Sequence, residues 1–577
     1  MSAPAVVVTE EQLPRIRGLV RGAADAIKPD ISRHVALLEL MPVNGEDQKA
    51  AVTIVAESVM PSRVADVKAA ATTLRQKYGS EYRMATPIIV RDHLLKQVLE
   101  RASVVSTESD VQDGLQLDTG AQTKSFDAIM TKAVALKVTD VHIKISPAES
   151  RIAFRIFKQL EVQPFGHSEK ELTDIVQSAF NSLAIPSSRS AQFSATKRQS
   201  CMIERKIAGE MYRFRYQHAP IEPKGVEVVM RILPMSEKEA KALSFEELGY
   251  SDTHAKIIRK ATARPDGAVL VAGTTGSGKT TTLKHGIMGV MERRPGISVR
   301  TVEDPVEYII PGASQTSVIR NDSDDASGAR EFAQTIRAIM RMDPDIIMIG
   351  EIRDKDSADL AVKAVLSGHQ VMSTTHAASV LDAISRLIDL GVERRTIASP
   401  NFLGGLIYQR LVPVLCPVCK VKYENGMVVK GRREFENRMK FVNTPGSTIY
   451  IKGRGCSECS QRGIVGITVC AEVMAPDDEF LDLISKGEDI GAKRHWRGQK
   501  NVQDPFDCVG APAYFHAVLK MRAGMISPED VEDNFGLFEE ENIAELYGEY
   551  GFETVNEEHP EIARVGGHPS RTKHSEG

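Results

Sequence analysis

The stretch AVLVAGTTGSGKTTTL, Ala268 to Leu283, decides how the rest of the chain is read. Its first five residues, Ala268–Ala272, form an apolar run that reads as a buried strand. Gly273 to Thr280 then fits G-x-x-x-x-G-K-[ST], the phosphate-binding loop, and a helix is expected to follow. Gly273, Gly276 and Gly278 let the backbone curl, so that N–H groups along Thr274, Thr275, Ser277 and Thr281 converge on one point. The helix N-terminus adds partial positive charge there. Lys279 is placed to reach the β- and γ-phosphates, and the Thr280 hydroxyl to hold Mg²⁺. A chance glycine turn would lack the strand before it and the helix after it. Binding of a nucleoside triphosphate is therefore expected.

The chain has 577 residues, enough for three or four domains, and 42% of them are hydrophobic. A net charge of −4 gives no basic field, so no nucleic-acid partner is expected. No uninterrupted apolar run is long enough to cross a bilayer, and MSAPAVVVTEEQLPRIR lacks the layout of a signal peptide. A cytoplasmic chain is expected, meeting any membrane through partners. Its seven cysteines do not read as a disulfide framework.

Periodicity divides the chain. Residues 1–120 read as a small α+β docking domain. In it, Leu13, Ile16, Val20, Ala23 and Ile27 predict a helix face, and residues 34–41 and 51–59 predict strands. Ser62 is expected to cap a helix with Val64, Val67, Ala71, Leu74 and Tyr78 inward. Residues 106–125 read as a polar linker. Residues 121–240 alternate helix and strand, with Arg155, Arg213, Arg215 and Arg231 clustered on the strands. A nucleotide-binding domain is expected over 241–475, a helical cap over 476–543, and a polar, disordered tail over 544–577.

Three further motifs follow the phosphate loop. ISVRTVEDPVEYII predicts a strand ending in Glu303, Asp304 and Glu307. DPDIIMIGEIRD predicts a buried strand ending at Glu351, where an acid beside Mg²⁺ is wanted. VMSTTHAAS predicts a strand ending at His376, a γ-phosphate sensor by position. The strand ends after Ala272, Val302, Ile349 and Ser373 are expected on one edge of a parallel sheet, where such sheets bind ligands.

With these residues in view, the chain resembles the secretion ATPases of type II secretion and type IV pilus assembly. GTTGSGKTTTL, TVEDPVEY, DPDIIMIGEIRD and STTHAAS match that family's Walker A, Asp box, Walker B and His box in order. TDVHIKISP, TIRAIMR, ISRLIDLGV and YQRL match outside them, and the resemblance spans roughly 125–540. It implies a RecA-like P-loop ATPase domain behind α+β N-terminal domains, the second of them PAS-like. It also implies a homohexamer that hydrolyses ATP with Mg²⁺ and works on an inner-membrane platform protein, with residues 1–120 open to a membrane recruiter. Glu303 would polarise the attacking water, Glu351 would hold the metal side, and His376 would respond to the γ-phosphate. Arg155, Arg215 and Arg231 fall on family arginines that complete the nucleotide site, although FRIFKQ and RYQH depart from the family's motifs there.

Cys416-Pro-Val-Cys419 and Cys456-Ser-Glu-Cys459 make two C-x-x-C knuckles within a module at 412–470. Four thiolates are the number tetrahedral zinc takes, and the family's assembly members carry a tetracysteine here. Assembly of a pilus or pseudopilus is therefore the leading expectation. A retraction motor, typically shorter and without the tetracysteine, and a nucleic-acid motor are the alternatives. Lys279→Ala is expected to abolish nucleotide turnover, because the phosphates lose their mobile cation; a steady-state hydrolysis assay checks it.

Overall fold

In the computed structural model, the described residues are 5–7, 16–19, 35–40, 50–56, 60–80, 82–85, 87–90, 95 and 120–539. The last range has breaks at 190–191, 236–240, 319–324, 425–432, 443–447, 502 and 505. The tail expected at 544–577 and most of the linker expected at 106–125 lie outside them. The chain forms two compact units, Met1–Gly120 and Ala121–Gly577.

The first unit holds β1 (Ala5–Val7), β2 (Ile16–Leu19), β3 (Val35–Leu40), β4 (Ala50–Ala56), α1 (Met60–Tyr78), β5 (Arg83–Met84) and β6 (Ile88–Val90). They form one mixed sheet in the order β1-β6-β4-β3-β2, with β5 beside β4. Val67, Leu74 and Tyr78 of α1 are buried as expected, whereas Ala71 is only half-buried and Ala70 is buried in its place. Two expectations fail here. Ile16 to Leu19 is a strand and not part of a helix, because it pairs antiparallel with β3. Gly18 sits in that segment, and glycine weakens a helix more than it weakens a bulged edge strand. Ser62 lies inside α1 and cannot be its N-cap.

The second unit begins with α2 (Ala121–Ala135), so residues 121–125 are helical and not linker. Then come β7 (Asp140–Ile145), β8 (Arg151–Ile156), β9 (Gln159–Gln163), α3 (Glu169–Ser178), β10 (Gln199–Ile207), β11 (Glu210–Ile221) and β12 (Gly225–Pro234). The strands make an antiparallel sheet, β10-β11-β12-β7-β8-β9. Phe126, Ile129 and Ala133 of α2 and Leu172 and Ile175 of α3 cover it. The segment KIAGEMYRFRYQ turns at Ala208 and Gly209, both at positive φ, and closes the β10–β11 hairpin.

The larger part follows as α4 (Asp252–Thr262), β13 (Gly267–Ala272), α5 (Lys279–Arg293), β14 (Val299–Glu303), β15 (Ser314–Ser317) and α6 (Asp325–Ile339). After these come β16 (Ile346–Ile349), α7 (Lys355–Leu366), β17 (Gln370–Thr375), α8 (Val380–Asp389), α9 (Arg394–Ile397) and β18 (Leu403–Leu415). The chain continues through β19 (Val421–Lys422), α10 (Arg433–Val442), β20 (Tyr450–Ile451) and β21 (Ile464–Met474). Helices α11 (Asp478–Lys486), α12 (Asp489–Arg497), α13 (Ala513–Arg522) and α14 (Pro528–Phe535) end the described chain. The sheet order is β15-β14-β16-β17-β13-β18-β21, parallel except for β21.

Both faces of this sheet are covered, which is why its strands read as unbroken apolar runs. Ala268, Leu270 and Ala272 of β13 pack with α6, α7 and α8, while Val269 and Val271 pack with α4 and α5. Ile347 and Ile349 of β16 divide from Ile346 and Met348 in the same way. This alternation is the period-two geometry of a strand, used on both sides. β15, SQTS, carries no hydrophobic signal because it is an exposed edge strand, held by pairing with β14.

Lys520 of α13 ties the helical end to this sheet. Its buried ammonium donates to Gly249 O, to Thr468 Oγ1 at 2.6 Å and to Val469 O at 2.7 Å. Burial pushes its pKa down to about 8. Lys520→Met is expected to cost about 2–4 kcal/mol, since buried acceptors lose their shared charged donor. Urea unfolding followed by fluorescence of Trp496, the one tryptophan, reads the loss.

Candidate nucleotide site

The phosphate loop leaves β13 at Ala272 and enters α5 at Lys279. Gly273, Gly276 and Gly278 adopt φ of 151°, 73° and 82°, as the curled backbone requires. A Cβ at Gly273 would lie 2.5 Å from Ser277 Oγ and 2.6 Å from the Gln409 carbonyl, so only glycine fits there. At Gly276 a Cβ would meet nothing within 4 Å, so the cradle opens outward. No side chain caps the N-terminus of α5, leaving its first N–H groups for an anion. The Ser277 hydroxyl is buried without a hydrogen-bond partner among the described residues. Lys279 Nζ donates to Gly273 O at 2.8 Å and to Thr274 O at 3.3 Å, folding over the loop that it would share with a phosphate. Thr280 and Thr281 follow in the first turn, half-buried.

The loop is fastened from β18. Gln409 Nε2 donates to Ser277 O at 2.6 Å. Gln409 Oε1 accepts from Thr282 Oγ1 at 2.9 Å and from the Tyr250 hydroxyl. Gln409 and Thr282 are nearly or wholly buried, and so is Tyr250. Sequence reasoning gave no role to Gln409 or Tyr250. The YQRL match pointed at Gln409, but only the fold brings it to the loop.

The expected strand ends do share one edge. Ala272 is paired in register with Thr375, Ile349 with Ser373, and Val302 with Ile349. Glu303 ends β14, only 3% exposed, accepting from Thr301 Oγ1 at 2.7 Å and Gln315 Nε2 at 3.0 Å. Burial raises its pKa, with the two donors opposing. Gln315, on the strand with no apolar signal, also bridges Tyr308 O and the Ile310 N–H, and so shapes the acidic loop.

Glu351 leaves β16 after Gly350, whose carbonyl accepts from Thr374 Oγ1 at 2.7 Å. A Cβ on Gly350 would stand 3.2 Å from Glu303 Cα, so glycine lets the two acid-bearing strand ends approach. Glu351 accepts from Arg353 Nε at 2.7 Å and lies 3.2 Å from His376 Nε2. Burial and then the Lys279 charge lower the His376 pKa, while Glu351 opposes them. Burial also lowers the Lys279 pKa, against the carboxylates of Glu351 and Glu307. Lys279, Glu351 and His376 thus feel one another's charge. Thr280 brings a hydroxyl and Glu351 a carboxylate, oxygen donors of the type that Mg²⁺ takes.

The arginines sit on the antiparallel sheet, and most of them are paired. Arg231 Nε donates to Asp140 Oδ1 at 3.1 Å, and its Nη1 stands 3.7 Å from Glu307. Arg155 Nε is 3.9 Å from Asp140. Arg213 holds Glu204 at 2.6 Å and reaches the Val306 carbonyl. The side chain of Arg215, cross-strand from Arg231, has no hydrogen-bond or ion-pair partner among the described residues.

The four cysteines of the two knuckles meet. Cys416 and Cys456 Sγ are 3.7 Å apart, Cys419 and Cys459 3.8 Å, and Cys456 and Cys459 3.7 Å. A tetrahedron with Zn–S bonds of about 2.3 Å has edges of about 3.8 Å, so the spacing fits zinc. Burial pushes the Cys459 thiol up, yet the Cys456 and Gly463 N–H groups on its sulfur bring it down to about 6. Cys201, Cys470 and Cys508 are buried elsewhere.

A family model described as Type II/IV secretion system protein matches residues 116–507. Type II secretion system protein E of Pseudomonas aeruginosa is 33% identical over 391 residues, covering 67% of this chain and 72% of that one. Type II secretion system ATPase E of Vibrio cholerae is 34% identical over 412 residues, covering 71% and 74%. Type IV pilus assembly ATPase PilB of Thermus thermophilus is 30% identical over 408 residues, covering 68% of this chain and 42% of its own length.

Gln409→Leu is expected to weaken nucleotide binding about tenfold or more, because Ser277 O and two buried hydroxyls lose their partner. Titration with a fluorescent nucleotide analogue checks it.

Proposed function

The chain belongs to the family of Type II/IV secretion system proteins, and on that premise we propose that it is a Mg²⁺-dependent ATP hydrolase powering assembly of a type IV pilus or a type II secretion pseudopilus. The observation that carries the reading is the single sheet edge where the phosphate loop, Glu303, Glu351 and His376 meet. Type II secretion system ATPase E and the pilus assembly ATPase PilB, by their names, do this class of work.

In this reading the loop from Gly273 to Thr281 binds the phosphates, and Lys279 swings from its carbonyl contacts onto the β- and γ-phosphates. Mg²⁺, when bound by Thr280 on the side of Glu351, neutralises phosphate charge. Glu303, held by Thr301 and Gln315, polarises the attacking water, so its orientation is fixed before substrate arrives. His376 reads the γ-phosphate through its contact with Glu351. The chain works as a homohexamer. Arg215, without a partner of its own among the described residues, completes the charge around a phosphate, with Arg155 and Arg231 behind it.

Zn²⁺, when bound by Cys416, Cys419, Cys456 and Cys459, supplies a rigid four-way crosslink. Among the described residues no helix is long and apolar enough to cross a membrane. A cytoplasmic motor docked on an inner-membrane platform protein is the arrangement proposed, with residues 1–120 as the surface for a membrane recruiter.

Glu351→Gln tests the reading. ATP binding is expected to persist while turnover falls about 10²–10³-fold, the usual cost of losing positioned charge in a site. Binding by calorimetry beside steady-state hydrolysis separates the two effects. Failure to bind ATP at all would make Glu351 a structural residue.

A further inference from the structure

The tetracysteine module grips the antiparallel sheet. Arg462 stands between the ligand Cys459 and Gly463, and its N–H donates to Cys459 O at 3.1 Å. The turn that presents it is tight: Ser460 and Gln461 take φ of 50° and 64°, and Gly463 takes 73°. A Cβ on Gly453 would stand 1.7 Å from Cys419 O, and one on Gly455 would stand 2.5 Å from the Gln461 carbonyl group. The two knuckles therefore interlock without slack. The loop that holds the sulfurs also fixes where Arg462 points.

Its target is the β8–β9 hairpin. Arg462 Nε donates to both carboxylate oxygens of Glu161, at 2.9 and 3.2 Å. The two side chains are 16% and 29% exposed, so solvent screens the pair only in part. Lys452, just after β20, donates to Gln159 Oε1 at 3.0 Å. From the hairpin turn, Lys158 Nζ reaches back to Leu411 O at 3.0 Å, on β18 between Gln409 and Cys416. Along β9, Gln159 and Glu161 are half-buried while Leu160 and Val162 are exposed, so one face of the strand engages the module.

The same hairpin carries the arginine row. Glu161 is cross-strand from Phe154, and Arg155 follows it, with its Nη1 donating to Lys158 O at 3.2 Å. Arg155 and Arg231 share Asp140, and Arg231 meets Glu307 of the acidic loop. A chain of contacts thus runs from the cysteine ligands to the phosphate edge.

We propose that the metal-loaded tetracysteine module is a latch: through Arg462 and Glu161 it holds the β8–β9 hairpin, and with it the Arg155–Asp140–Arg231 row, in register with the acidic loop of the same chain. Arg462 and Glu161 are positioning residues for hydrolysis, a role that rests on the reading of the edge as an ATP-hydrolysing site. Latching by itself does not depend on that reading, so the two are separable by experiment.

The test uses the full chain. Arg462→Ala and Glu161→Ala are each expected to lower kcat about two- to thirtyfold, the range of coupling changes along such contact chains. KM for ATP stays near the wild-type value, because the phosphate loop is untouched. Amide hydrogen exchange over 157–163 speeds up in both variants, and also in wild-type protein stripped of metal by a chelator without nucleotide. Combining Arg462→Glu with Glu161→Arg restores the ion pair and recovers both exchange protection and kcat. Elemental analysis accompanies each variant. If Arg462→Ala loses zinc, Glu161→Ala, which leaves the knuckle intact, decides. Unchanged hairpin exchange in the single variants and after stripping overturns the latch, as does a kcat loss that the charge reversal fails to recover. Wild-type protein without hydrolysis would instead overturn the ATPase reading, and the exchange data would still judge the latch.

Discussion

The hydrogen bond from the Gln409 carboxamide to Ser277 O is the constraint on which the rest of the site depends. A glycine-rich loop has many backbone conformations, and a phosphate cradle needs one of them. Here nothing within the helix caps its start. The restraint comes from the neighbouring strand, whose Gln409 also collects the hydroxyls of Thr282 and Tyr250. Tyr250 follows Gly249, whose carbonyl is held by Lys520 from the helical end of the chain. β18 continues to Leu415, one residue before the first cysteine of the metal module. One strand therefore links loop, helical end and thiolate cluster.

Electrostatics at the edge set a few cations against a few carboxylates. Burial opposes charge on Lys279 and His376, whereas Glu351 and Glu307 favour it on Lys279. Arg353 and His376 share Glu351, and Arg353 also reaches Asp304 at 3.4 Å. A triphosphate entering this cluster gives Lys279 a better partner than two backbone carbonyls. It also competes with the carboxylates for the cations around them. In the proposed mechanism, such a rearrangement would turn a charge at the loop into a change in the packing of side chains at strand ends.

What could be read from the sequence was what local spacing encodes. The phosphate loop, the acids at Glu303 and Glu351, His376 and the two cysteine knuckles each carry their signal within a dozen residues. The doubly covered sheet was legible because β13, β16 and β17 are apolar throughout. What escaped was held by distant partners. Gln409 reaches a loop 132 residues away in sequence, and Arg462 a strand 301 residues away. Gln315 lies on SQTS, a strand that exists through pairing and not through periodicity. Ile16 to Leu19 failed for the complementary reason: helical spacing in a short segment lost to a β3 partner that no local pattern reveals.

The most direct measurement is phosphate release from ATP by the purified full chain, with Mg²⁺ and with a chelator in its place, over a range of protein concentrations. The account predicts Mg²⁺-dependent release whose rate per chain rises with concentration as rings form and place Arg215 at a neighbour's site. Tight ATP binding with no release at any concentration would contradict it, and would make the chain a nucleotide-gated scaffold in place of a motor.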